Sequence, residues 1–573
     1  MNTNRFDTNY DSVKGTFMKN RAVSILVYIL AVILLIAGVY YVTLPPISIY
    51  SAEFWTFFFF LDAVIFVSYW VIGLLSGKAF PDIVKMPSGQ INFEASVGLK
   101  KRIFPKIQLI LTLAVIAFLI VGSLLGSQMF RAKTYSSLID VQDADFAAEI
   151  DETEYVTDIA LMDTASARII GARTLGTLSD LVSQYEVSSA YTQIAIRNPS
   201  TGTAHPYKLA PLEYASFFKW LSNKSAGIPG YVKVDTVNFE AEFVRLGGDY
   251  IRYSPSAYFG KDLMRALRFA YPTKIFGNVS FEVDDEGHPY WVAATMKPHA
   301  GLFGAMDVDT VITLDACTGE TAEYIPAESP DWIDIVYYGT LICRKYDWYG
   351  MLRGGYLNSA FSQTNCVVTT DDFGYKIIGN DVYIFTGVTS TAGDEANIGF
   401  ILANSRTGEY KFFSVPGAEE YSAMAAAEGS VQQYRYAASF PSLINVNGEA
   451  TYIMVLKDAS GIVKMYSMVN VENYNIVVTS ETQEDVFRRY KAAIAAPAGS
   501  VPSDALTAEE ITVNELLYIT QSGETVVYIK SDSGIFRTSF DEKLLFIEEG
   551  DRITVRYLVK EDVTILSGFE VSE

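Results

Sequence analysis

The sequence predicts an α+β protein: a helical membrane anchor followed by a long β-rich region. Three observations carry that prediction. Three apolar runs fall within residues 1–133. Short β-branched and aromatic runs, many bounded by glycine-bearing turns, fill most of residues 134–573. The charge also changes sign, with 12 Lys and Arg against 6 Asp and Glu in residues 1–133, and 32 against 60 in residues 134–573. With half of its 573 residues apolar and a formal charge of −22, the chain is neither disordered nor fibrous. An acidic body of this size repels phosphate backbones, so no nucleic-acid partner is expected.

The apolar runs are Ala22–Leu44, Phe54–Leu75 and Ile107–Leu125. At about 1.5 Å per residue each reaches across a hydrocarbon core of roughly 30 Å. The first is too long for a signal-peptide core and is followed by a second span. Residues 1–133 are therefore read as a membrane domain. Lys and Arg are absent from Pro45–Glu53, whereas Lys78, Lys85, Lys100, Lys101, Arg102 and Lys106 crowd the second link. The positive-inside rule then places the N-terminus in the cytoplasm and residues 134–573 across the cell membrane. Asp62 is an acid within a span, which marks either an ion path or a partner on a neighbouring helix. Gly122-Ser-Leu-Leu-Gly126 has the spacing of a helix-docking face.

Residues 134–496 form the extracytoplasmic α+β region. It opens on an acidic connector, Ser136–Thr157. Strands are expected at Asn238–Phe243, Tyr290–Met296, Thr310–Leu314, Asp381–Thr386, Gly399–Ala403, Thr451–Leu456 and Val463–Val469. Helices are expected at Pro211–Leu221, at Gly260–Ala270 with Lys261, Arg265 and Arg268 turned away from the apolar face, and at Glu484–Ala496. A repeat shows in the turns. Asp315-Ala-Cys-Thr-Gly-Glu320 and Asn404-Ser-Arg-Thr-Gly-Glu409 each join two strands, and Asp458-Ala-Ser-Gly461 has a similar make-up.

The stretch Ala257–Tyr324, with its helix, its strand Tyr290–Ala294 and its Asp315–Glu320 turn, resembles a PepSY-type module; Asp381–Phe413 echoes it. The resemblance implies small helix-on-sheet units of bacterial envelope proteins, whose role is to bind or inhibit a partner. Residues 497–506, rich in Ala, Pro, Gly and Ser, read as a linker. Five strand-like segments in residues 507–573 then predict a small β-barrel of the OB or SH3-like kind.

Signals for chemistry are sparse. There is no His-Glu-x-x-His, no nucleophile elbow and no phosphate loop. Asp284-Asp-Glu-Gly-His288 gathers three acids and an imidazole, but between two strands it reads as a turn, so no metal or other cofactor is expected. Cys317, Cys343 and Cys366 lack an adjacent base. The most site-like stretch is Asp347–Tyr356, where Trp348, Tyr349, Arg353 and Tyr356 surround three glycines as a carbohydrate or peptide groove would. The expected role is non-enzymatic: a membrane-anchored envelope protein that binds or positions a partner protein or a cell-wall component. The alternatives are an accessory subunit of a membrane complex and a tethered cell-wall hydrolase. Nothing in the sequence fixes an oligomeric state.

Overall fold

A computed structural model describes residues 5–75, 103–153, 159–198, 202–391, 396–495, 507–521, 524–540, 542–557, 563–566 and 568–571. The basic cluster from Lys78 to Arg102, residues 154–157 of the acidic connector, and the whole of the 497–506 linker lie outside the described residues.

The apolar runs form α1 (Arg5–Thr43), α2 (Ala52–Leu75) and α3 (Ile103–Leu125). All three are long and apolar enough to cross a membrane. Polar groups join them in pairs. Tyr28 and Ser68 hydroxyls lie 3.1 Å apart between α1 and α2. Between α2 and α3, Gln108 Nε2 donates to Asp62 Oδ1 (2.8 Å) and the Thr112 hydroxyl to Oδ2 (2.7 Å). Asp62 thus has its partners on the adjacent helix. A kinked helix, α4 (Gln128–Ser136), leads from α3 into the body through β1 (Val141–Ala144) and the single-turn α5 (Phe146–Glu149).

The body is built from one unit used four times: a helix, then four antiparallel strands in meander order. The first unit comprises α6 (Thr164–Gly176), β2 (Tyr185–Val187), β3 (Thr192–Arg197), β4 (Ala204–Tyr214), α7 (Phe217–Asn223), β5 (Gly230–Asp235) and β6 (Ala241–Arg245). Its meander is β3 to β6, with β2 paired to the far half of β4. The second is α8 (Leu263–Ala270) with β7 (Ile275–Val283), β8 (Pro289–Ala300), β9 (Gly304–Asp315) and β10 (Thr321–Tyr324). The third is α9 (Gly339–Leu352), β11 (Val367–Thr369), β12 (Gly374–Ile378), β13 (Asp381–Ser390), β14 (Ala396–Asn404) and β15 (Tyr410–Phe413). Two short strands extend this sheet: β1, parallel to β15, and β16 (Gly417–Ala418). The fourth is α10 (Glu420–Ser430), β17 (Ala437–Ala438), β18 (Ser442–Val446), β19 (Glu449–Lys457), β20 (Val463–Asn470) and β21 (Val477–Ser480), closed by α11 (Gln483–Ala495).

The last turn of every unit opens on Asp or Asn: Asp235, Asp315, Asn404 and Asn470. Each Oδ1 accepts backbone amides inside its turn, such as Cys317 N (2.8 Å) and Thr318 N (3.0 Å) at Asp315, and Arg406 N (2.8 Å) and Thr407 N (3.0 Å) at Asn404. Asp235 binds Val237 N and Asn238 N in the same way, and Asn470 binds Asn473 N. Across the sheet, each opener meets the residue two before its register partner. Those residues are His205, His288, Asp381 and Glu449. An Asp opener faces an imidazole, at 3.0 Å for His205–Asp235 and 3.1 Å for His288–Asp315. An Asn opener instead donates to a carboxylate, at 2.8 Å to Asp381 and 3.2 Å to Glu449. The chemistry inverts while the pairing persists.

Buried carboxylates join the first three units. Asp334, before α9, accepts Ala195 N of β3 (2.7 Å), and its own amide donates to Glu282 of β7 (2.8 Å).

Several expectations are corrected. Pro211–Tyr214 belongs to β4, and the helix begins only at Phe217, where Ser216 caps it. Residues Asn238–Glu240 are turn, so β6 starts at Ala241. Asp458–Gly461 is the β19–β20 hairpin, whereas the fourth copy of the repeated turn opens at Asn470. Gly122 and Gly126 lie against the β8–β9 turn: a Cβ on either would strike it, at Leu302 and the Ala300 carbonyl. Among the described residues, the C-terminal segment has seven strands in two sheets around one core. They are β22 (Thr507–Thr512), β23 (Glu515–Gln521), β24 (Glu524–Ser531), β25 (Gly534–Ser539), β26 (Arg552–Tyr557), β27 (Val563–Ile565) and β28 (Gly568–Val571). The mostly polar β22 buries Ile511 alone, and β27 and β28 fall in different sheets.

Candidate functional site

The Asp347–Tyr356 stretch is mostly helix, because α9 continues to Leu352. Trp348 meets Tyr135 of α4 edge to face (centroids 5.0 Å apart), and Tyr349 packs near Tyr346. Arg353 lies over the Tyr349 ring and donates to the Asn365 carbonyl (2.9 Å), while Tyr356 joins the cluster around Tyr135 and Leu352. Trp348 and Tyr356 thus pack against α4, whereas Tyr349 and Arg353 pair with each other and reach Tyr346 and Asn365.

His288, Asp315 and Cys317 bring three ligand atoms within 4.8 Å of one another. The first unit contains the same His–Asp pair, with Val237 in the place of Cys317. The repeated turn therefore accounts for the pair without a metal. Cys317 Sγ itself donates to the Asp249 carbonyl (2.9 Å), and burial pushes its thiol up to about 12. All three cysteines are free thiols.

A different place combines an opening with an unspent charge. Where the first, third and fourth units meet, a cavity of about 430 Å³ is lined by Asp163, Thr164, Gln193, Lys208, Asp372, Phe373, Tyr375, Tyr421, Met424 and Phe440. Lys208 projects into it from β4 and is only 4% exposed. Its ammonium has the Thr164 hydroxyl at 3.3 Å and the Tyr375 ring at 5.3 Å. Among the described residues it makes no ion pair within 4.0 Å. Burial pulls its pKa down to about 8, partly offset by the charge of Asp163. Asp163 is already engaged: it accepts Ser166 N at the start of α6 (2.8 Å) and pairs with Lys457.

Two other deeply placed lysines have closer partners. Lys345 meets the Asp307 carboxylate at 2.8 Å, and Lys376 donates to the Leu443 carbonyl at 2.8 Å. A buried cation is costly unless paired. Lys208 is the one of the three with no partner as close as 2.8 Å and with a roomy cavity before it, beside the aromatic walls of Phe373, Tyr375 and Phe440. Sequence reasoning missed it because a lone Lys in a strand reads as an outward-facing residue.

Comparison with known families and with characterised proteins finds no match. Among solved structures the likeness is slight. An exo-β-1,3-galactanase from Phanerochaete chrysosporium is 12% identical over 60% of this chain and 60% of that one, at a TM-score of 0.17. A levansucrase from B. subtilis is 10% identical over 76% of this chain and 95% of its own, at 0.16. One from B. megaterium is 9% identical over 77% and 97%, at 0.17. Scores this low carry no argument about fold or activity.

Proposed function

We propose that the protein is a membrane-anchored, non-enzymatic binding protein of the cell envelope, with its N-terminus in the cytoplasm and its four-unit body outside. The Lys208 cavity is its recognition site. Its ligand is a carboxylate-bearing segment of a partner protein or of a cell-wall peptide: the carboxylate takes the ammonium, and an adjoining apolar group lies against Phe373, Tyr375 and Phe440. The observation that supports this is a buried amine facing open volume without a counter-ion. The resemblance of the helix, sheet and Asp-opened turn to PepSY-type modules agrees with a binding role. The directions of α1 and α3, whose C-terminal ends both meet the body, agree with the topology.

The test is calorimetric titration of the full-length protein in detergent with short peptides ending in a free carboxylate or in an amide. A charge-assisted hydrogen bond contributes roughly 1.5–3 kcal/mol, so amidation or Lys208→Met weakens binding about tenfold or more. Equal affinity for both peptides, or an unaffected Lys208→Met, overturns the reading.

A further inference from the structure

The end of α1 is held by the second unit. Leu44, at φ 47°, terminates the helix ahead of Pro45 and Pro46, leaving the last carbonyls without intrahelical donors. Arg268 Nε donates to the Leu44 carbonyl (2.9 Å) and Arg265 Nε to that of Tyr41 (3.4 Å). Pro272 accepts the amide of Ile47 (2.7 Å). Arg268, expected to face away from the apolar side of α8, is instead 4% exposed. A cation at the negative end of a helix is favourable as well as satisfying its carbonyls.

These contacts fix the height of α8 against the span. Phe269 lies 6.3 Å from the Tyr41 ring, and the Phe259 carbonyl accepts Arg265 Nη1 (2.8 Å), so both phenylalanines stand at the last turn of α1. Both nonetheless point outward, with Phe259 58% exposed and Phe269 53%. A second apolar group occurs where α3 ends. Tyr135 donates to the Gly126 carbonyl (3.0 Å) and packs with Leu352 at the end of α9. Exposed Met129 and Phe130 lie on α4, and Leu357 and Phe361 follow α9.

We propose that this rim, with Phe259 and Phe269 on one side and Met129, Phe130, Leu357 and Phe361 on the other, is immersed in the lipid surface at the C-terminal ends of α1 and α3. The body is then a monotopic element as well as an anchored one. Its aromatic groups enter the headgroup–acyl boundary. The occupant is lipid because the exposed groups continue outward from the ends of the spans, where apolar side chains meet the bilayer edge. This inference rests on α1 and α3 spanning the membrane and is independent of the Lys208 cavity.

The test places a benzoylphenylalanine at position 259, 269 or 361 of the full-length protein, reconstituted in vesicles of phosphatidylcholine and phosphatidylglycerol. Tyr474, 52% exposed in the last turn of the fourth unit, serves as the control position. After irradiation, intact-mass measurement counts lipid adducts. The expected result is a yield several-fold higher at 259, 269 and 361 than at 474. Equal yields place the rim in water and overturn the proposal. Protein cross-links in place of lipid adducts overturn it in favour of a covered interface. Each substitution exchanges one exposed aromatic group for another, and an unchanged thermal transition verifies the fold.

Discussion

Lys208 can be separated from the residues that hold the fold by asking what its removal does to stability. Its ammonium is buried with one weak partner, so Lys208→Met removes an electrostatic penalty while conserving most of the volume. The melting temperature of Lys208→Met at neutral pH is expected to equal or exceed that of the native chain, as scanning calorimetry would show. A lower value would mean the amine is structural. The native chain also carries a pH signature. The amine loses its proton near pH 8 when folded and near its ordinary, higher value when unfolded. Between those values the unfolded chain binds the additional proton, so stability rises with pH there, and Lys208→Met removes that rise. Glu282 contributes in an earlier window. Burial raises its carboxyl to about 7 against the lowering effect of Ser280 and the amides of Asp334 and Ile335. Its stabilisation is complete below the ordinary carboxylate range and is lost as pH rises through about 7. Glu282→Gln is expected to flatten that decline in denaturation curves taken between pH 5 and 8.

The repeated turn is the element that carries the body. Asp235 and Asp315 are desolvated, but turn amides and their histidine partners hold both carboxyls below the usual range. Their stabilisation is present above the unfolded carboxylate range and disappears as pH falls through the lowered values. Asp235→Asn and Asp315→Asn are each expected to lessen the acid sensitivity of unfolding, read as a smaller drop in melting temperature from pH 5 to pH 3. Asn404→Ala deletes bonds to two turn amides and to Asp381, and is expected to cost about 1–3 kcal/mol in chemical denaturation. Two of the four turns were legible because Thr-Gly-Glu announces them. The other two use different backbone solutions. Phe239 takes φ 60° where Gly319 and Gly408 sit in the glycine-bearing copies, and the Asn470 turn closes one residue later, on Ile476. Neither leaves a glycine to read. The contact of Trp348 with Tyr135 of α4 was not legible either, because aromatic residues among glycines do not announce which distant helix they meet. Lys208 and Arg268 were illegible for a related reason. Whether a lone cation on a strand or helix faces water or another unit is decided by packing between segments far apart in sequence.

At the scale of the whole molecule, hydropathy alone revealed three helices long and apolar enough to cross a membrane, because a bilayer imposes a length and a polarity that few soluble helices satisfy. The orientation rests on charge asymmetry and can be read chemically. In intact cells, a cysteine replacing Tyr50 is expected to react with a membrane-impermeant maleimide, whereas one replacing Lys85 reacts only after permeabilisation. Reaction of the second alone would reverse the topology, and reaction of both would overturn a span between the two positions. The four-unit plan was half visible, since its sheets are local meanders but their joining through Asp334 and Glu282 is not.

The capping of α1 also orders the molecule in time. Arg268 lies 224 residues beyond the carbonyl it satisfies. During synthesis α1 enters the bilayer long before its cap has left the ribosome, and its last carbonyls must borrow water until α8 folds beside them. Closing that contact also closes a very long loop, so the anchor and the body complete each other late rather than folding as a ball on a string. Once made, the junction is a mechanical joint: a tilt of α1 in the bilayer is delivered through two guanidinium groups to α8 and the sheet behind it.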